Sequence, residues 1–195
     1  MSNVTQRHQA MPAANVSSQQ QLLPATEDEN KKTITALVAY APENISYLKI
    51  IMSLINALIH QFCHENEKWH NLDIKVDEYD ITRSLSEITD TANSNDPLKP
   101  YQLIILLLSF ESVGLDFYYS EQMRPVFENH KQIQNRLRCV LLHPCTLAGY
   151  PFRSLPQSCY LPTNQQPIVK WDKEPEALAN ISSGLERAID FLSAR

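Results

Sequence analysis

Glycine is scarce in this 195-residue chain: Gly114, Gly149 and Gly184 are the three present, and they lie far apart. A GxGxxG dinucleotide loop and a GxxxxGKS/T phosphate loop need clustered glycines so that backbone can approach phosphate, and both are excluded. Long hydrophobic runs are missing as well. The longest is Leu103 to Leu108, far short of the roughly 20 residues that a transmembrane helix requires. Positive charge is not in excess: the net charge is -5 and the pI is near 5.7. That balance argues against nucleic acid or an anionic membrane as the main partner, since both select a basic footprint. No apolar stretch follows a charged start, so no secretory signal is expected. Cys63, Cys139, Cys145 and Cys159 show no CxxC spacing, and reduced thiols in a cytoplasmic protein are expected.

Apolar residues make up 43% of the chain and charged residues 20%, ordinary values for one globular domain with a sizeable core. Residues 1–30 are rich in Gln, Asn, Ser, Ala and Pro and carry no periodic apolar face. Such a segment cannot offset its ordering entropy, which predicts a disordered tail. The folded domain is expected over 31–195.

From Lys31 the pattern alternates. Thr33 to Tyr40 is an apolar, β-branched run of strand length, stopped by Ala41-Pro42. Ile45 to Phe62 carries an apolar stripe at helical spacing. Leu72 to Val76, Tyr101 to Ser109, Leu137 to His143 and Pro167 to Trp171 read as further strands. The run LIILLL in the third is apolar on both faces, as a central parallel strand is. The last helix is expected from about Pro175 to Ala194, with Asp172 as N-cap. Strands alternating with helices imply an α/β fold with a parallel sheet. By analogy, five strands fit a flavodoxin-like, doubly wound sheet of order 2-1-3-4-5.

Four stretches together resemble a bacterial-type Toll/interleukin-1 receptor (TIR) domain. Ala36 to Pro42 (ALVAYAP) resembles the opening strand of that family. Leu103 to Met123 (LIILLLSFESVGLDFYYSEQM) resembles its third strand, the serine that follows, and the helix bearing a catalytic glutamate. His143 to Phe152 (HPCTLAGYPF) is similar to the loop after the fourth strand, and Ile168 to Ile189 to the closing strand, its tryptophan and the last helix. The chain departs from the family after the second strand. Glu78, Tyr79, Asp80 and Ile81 stand where Asp-Arg-Asp-Ile is common, and Thr82 to Pro100 has neither glycine nor tryptophan. In the family that loop helps members assemble and lines the ligand site.

The resemblance implies a TIR-fold NAD+ hydrolase, with NAD+ as substrate and no separate cofactor, acting in stress or anti-phage signalling. Other TIR domains are the implied partners, with a homo-oligomer as the active form; neither nucleic acid nor a membrane is expected. Counted as aromatic-x-x-x-Glu, the catalytic position is Glu121, after Phe117. Counted back from the Glu-Met pair of bacterial members, it is Gln122, before Met123. Tyr40, Ala41, Ser109 and Phe117 are the expected substrate-binding residues. The alternative is a catalytically silent TIR module that works as a scaffold through TIR–TIR assembly.

Other chemistries lack their ligands. A phospho-receiver needs an acidic pair after the first strand and an aspartate ending the third, where this chain has Tyr40-Ala41-Pro42 and Ser109. A flavodoxin would want a Ser/Thr-rich phosphate loop after the first strand. His60, Cys63 and His64 share a helix, but Gln61 stands where an HExxH site has its general base, so no metal site is expected. A chain beginning at Lys31 should keep the thermal midpoint of the full chain in calorimetry. A drop of more than a few degrees would show that residues 1–30 pack on the domain.

Overall fold

The computed structural model describes residues 31–65, 72–85, 97–128 and 136–194. The expected tail over 1–30 lies outside the described residues, as do 86–96 of the segment that departs from the family. Five strands form one parallel sheet: β1 (Lys32–Tyr40), β2 (Leu72–Asp80), β3 (Leu103–Leu108), β4 (Leu137–Leu141) and β5 (Tyr160–Leu161). Their order is β2-β1-β3-β4-β5, the order of a flavodoxin-like doubly wound α/β fold. Among the described residues three α-helices accompany them: α1 (Ile45–Glu65), α2 (Arg124–Glu128) and α3 (Glu174–Ser193).

Alternation along the strands builds two cores, because successive side chains point to opposite faces of a sheet. Leu37, Ala39, Ile104, Leu106 and Cys139 point to one face, where Phe117, Tyr118, Phe127 and Phe152 cover them. Ala36, Val38, Ile105, Leu107 and Val140 point to the other, under α1 and α3. Every residue of β3 is buried. Leu48, Ile51, Ile55 and Leu58 supply the buried stripe of α1, and Ala177, Ile181, Leu185, Ala188 and Ile189 that of α3. The register sets Ala39 beside Leu106, and Leu106 beside Cys139. Thus Leu106 sits at the centre of the sheet.

Three local expectations are corrected. The fifth strand is Tyr160–Leu161, paired with Cys139 and Val140, and not Pro167 to Trp171. Pro167 has no N–H to give to a ladder. The residues after it, Ile168–Lys170, coil into a 3-10 turn that buries Ile168. Trp171 donates its indole N–H to the Gln166 carbonyl at 3.0 Å. Helix α3 is capped by Lys173 without a side-chain hydrogen bond, so Asp172 is not its N-cap. No continuous helix carries Glu121. A 3-10 turn spans Asp116–Tyr119, and α2 begins only at Arg124. Ser120 is the reason: its hydroxyl donates to the Phe117 carbonyl at 2.8 Å and accepts from the Met123 N–H at 3.3 Å, closing one turn and capping the next.

Gly184 marks the tightest approach of α3 to the sheet. A Cβ there would meet the side chain of Leu161 well inside contact distance, and Leu161 is itself buried. Gly184→Ala should therefore destabilise the domain by about 1–3 kcal/mol in urea unfolding. Combining it with Leu161→Ala should cost less than the two single losses added together, because the smaller side chain makes room. Strict additivity would show that the helix does not rest on Leu161.

Candidate functional site

The chain reverses its direction of travel across the sheet between β1 and β3. In sheets of this kind ligands bind beyond the C-terminal strand ends at that reversal. Tyr40 closes β1, half-buried, with Asp80 of β2 beside it in register. Its carbonyl accepts the Ile81 N–H at 2.9 Å. Ala41 is buried and precedes a 3-10 turn over Pro42–Asn44, where the fixed φ of Pro42 suits a turn start. The Asn44 N–H returns to the Ala41 carbonyl at 2.8 Å.

That turn aims Asn44 inward. Asn44 is 1% exposed and Ser109, at the end of β3, is 0% exposed. The Asn44 amide Nδ2 donates to Ser109 Oγ at 3.1 Å, tying the end of β1 to the end of β3. Ser109 and Ser112 then fold the chain back on itself. The Ser109 N–H donates to Ser112 Oγ at 2.8 Å, the Ser112 N–H donates to Ser109 Oγ at 3.3 Å, and the Val113 N–H reaches the Ser109 carbonyl at 3.2 Å. The two residues inside this reversal, Phe110 and Glu111, are pushed outward. Phe110 is 72% exposed and Glu111 is exposed. The Glu111 carboxyl is held below its usual range by its own backbone N–H first, then by the Ser109 hydroxyl, with the nearby charge of His143 adding to both. His143, just past β4, is half-buried and stands edge-on to Tyr47 of α1 with ring centres 5.6 Å apart.

The remaining expected site residues fall elsewhere. Phe117 is buried, its ring 5.7 Å from Tyr79 and 5.2 Å from Tyr118; it forms part of the core and offers no open face to a ligand. Glu121 and Gln122 are both exposed in the turn before α2. The two registers are therefore neighbours on a turn and do not lie on a helix. Tyr119, two residues before Glu121, stands 6.5 Å from the ring of Tyr150 in the loop after β4. Tyr150 and Arg153 line a hollow of about 450 Å³ there.

A second hollow, of about 520 Å³, opens beside β2 and is lined by Asp77, Glu78, Tyr79, Asp80, Arg83 and Tyr101 among others. Tyr101 donates its hydroxyl to Asp77 Oδ2 at 2.9 Å, and burial, then Asp77, pushes its pKa up to about 12. Asp80 is occupied by Thr82, whose N–H and hydroxyl donate to it at 2.9 and 2.7 Å. Tyr40, Ala41 and Ser109 thus come together at the reversal, and Glu121 with Gln122 lie on the turn next to Tyr119. Sequence reasoning passed over Asn44, Glu111 and His143. The signal was present for Asn44: a Pro-Glu-Asn turn directly after a buried strand points a short polar side chain back at the sheet. Glu111 carried no such signal, because an exposed carboxylate in a loop is ordinary until its neighbours are known.

Among the described residues no group of three His, Cys, Asp or Glu could hold a metal ion. No helix among them is long and apolar enough to cross a membrane. No family model matches the chain, and no solved structure matches it. Over 122 residues the chain is 27% identical to an uncharacterised protein, y4lF, of Sinorhizobium fredii (strain NBRC 101917 / NGR234), covering 63% of this chain and 34% of that protein. The match therefore spans about a third of that relative's length and names no activity.

Ser109→Ala tests the tie between β1 and β3. It leaves the buried Asn44 amide without its acceptor, at a cost of about 1–3 kcal/mol. Chemical unfolding should show that loss, and hydrogen exchange should quicken at Asn44 and Ser112. An unchanged unfolding midpoint would mean that the pair does not hold the loops.

Proposed function

We propose that this chain is a TIR-type NAD+ hydrolase that acts in the cytoplasm, in stress or anti-phage signalling, and assembles with other TIR domains. The observation that supports the reading is half-buried Tyr40 at the β1–β3 reversal. Ala41 and Ser109 are fully buried at the same strand ends, where they shape the site without facing a ligand, locked by the Asn44–Ser109 hydrogen bond. In the proposed reaction the bond between ribose C1′ and the nicotinamide nitrogen breaks, and its electron pair leaves with nicotinamide. The ring departs neutral and needs no proton. Water then adds to C1′ and gives up a proton to solvent, leaving ADP-ribose. Positive charge builds on the ribose during departure, so one carboxylate near the ring supplies the main electrostatic help. Tyr40 is half-buried at the strand end and suits one flat face of the ligand.

The resemblance assigns the carboxylate role to Glu121, with Gln122 as the other register. An exposed carboxylate in water stabilises a developing charge weakly, because the solvent screens it. Activity therefore depends on a surface that covers the turn, which fits assembly into a homo-oligomer. The same exposure favours a second reading: a catalytically silent module that uses this turn, with Tyr119 and Tyr150, to contact other TIR domains.

Nicotinamide release by purified full-length protein, alone and under crowding, separates the two. In the enzyme reading Glu121→Gln lowers turnover by on the order of 10²–10³ without lowering stability, and Gln122→Ala matters little. In the other register the wild type is nearly silent and Gln122→Glu creates activity. Silence of both wild type and Gln122→Glu in the assembled state rejects the hydrolase and leaves the scaffold.

A further inference from the structure

We infer that Phe110 and Glu111, held outward by the Ser109–Ser112 reversal at the end of β3, recognise the cationic ring of a pyridinium riboside. The inference rests on the hydrolase reading and adds to it a second acidic residue, separate from Glu121. Three features of the fold point to it. The reversal is held at both ends: Ser109 is buried and bonded to Asn44 from the β1 side, and the Ser109 N–H is bonded to Ser112. What projects from this anchored turn is a large aromatic ring, 72% exposed, directly followed by an exposed carboxylate. An aromatic face and an anion side by side suit a flat cation, by cation–π attraction and by charge.

The surroundings favour the ionised form of that carboxylate. Its own backbone N–H, the Ser109 hydroxyl and the charge of His143 all favour the anion. His143, just past β4, packs edge-on against the Tyr47 ring of α1. Tyr40 closes the neighbouring strand β1. Glu121, by contrast, sits on an exposed turn before α2. Glu111 therefore acts in recognition of the charged ground state, and its loss raises the concentration of NAD+ needed more than it slows turnover at saturation.

The oxidised and reduced dinucleotides provide the test, since NAD+ carries the ring charge and NADH does not. Binding of each to the full-length protein is measured by calorimetry, with nicotinamide release followed in the same samples. The wild type should prefer NAD+ to NADH by about fivefold, the size expected of one solvent-accessible charge pair. Glu111→Gln should lower that preference and leave NADH binding unchanged, with only a small fall in thermal midpoint because the side chain is exposed. Phe110→Ala should weaken NAD+ more than NADH, because only the oxidised ring is a cation. Equal binding of NAD+ and NADH by the wild type, or an unchanged preference in Glu111→Gln, overturns the inference and leaves the hydrolase reading intact if nicotinamide is still released. A fall in thermal midpoint with equal loss of both ligands makes Glu111 structural and also overturns it. Absence of both binding and release rejects the inference together with the hydrolase.

Discussion

Strand β3 cannot face water on either side, and the rest of the architecture answers that constraint. Its six residues are all buried, so each face of the sheet has to be covered. Helices α1 and α3 do this on one face. On the other, the cover is built from Phe117, Tyr118 and Phe152 on 3-10 turns and Phe127 on α2, with Tyr118 and Phe152 edge-to-face at 5.2 Å. Burial of this much apolar surface is the main favourable contribution to folding.

The same strand sets up the candidate site. Where β3 leaves the core it ends on Ser109, still fully buried, and a buried hydroxyl must be hydrogen-bonded or cost stability. Asn44 and Ser112 meet that need. In doing so they fasten the exits of β1 and β3 to one another and turn Phe110 and Glu111 toward solvent. A requirement of the core, satisfaction of one hydroxyl, thereby determines which side chains present themselves at the point where doubly wound sheets take ligands.

Two carboxylates of different character result. Glu111 projects from a turn anchored on the buried Ser109 and Ser112. Glu121 belongs to an open turn whose neighbours Tyr119 and Tyr150 are themselves largely exposed. A fixed anion suits recognition of a fixed positive charge. An open one suits a role that begins when another surface closes over it, which links the chemistry proposed for this chain to the assembly proposed for it.

The sequence by itself determined the α/β class, the parallel sheet and the buried centre at Leu106, because periodicity and the unbroken run Leu103 to Leu108 depend only on local spacing. It also marked Tyr40, Ala41 and Ser109 as strand-end residues, since each stands where an apolar run stops. Only the tertiary structure decided the fifth strand. Tyr160–Leu161 and Pro167 to Trp171 are both short and apolar, and the choice rests on which one meets the open edge of β4. It likewise removed Phe117 from the ligand surface and placed Glu121 on a turn, through contacts with Tyr79 and Tyr118 and through the double role of Ser120. Asn44, Glu111 and His143 are 32 residues or more apart from one strand end to the next, and no local pattern could bring them together. Their meeting is a consequence of strand order, which is a property of the folded sheet alone.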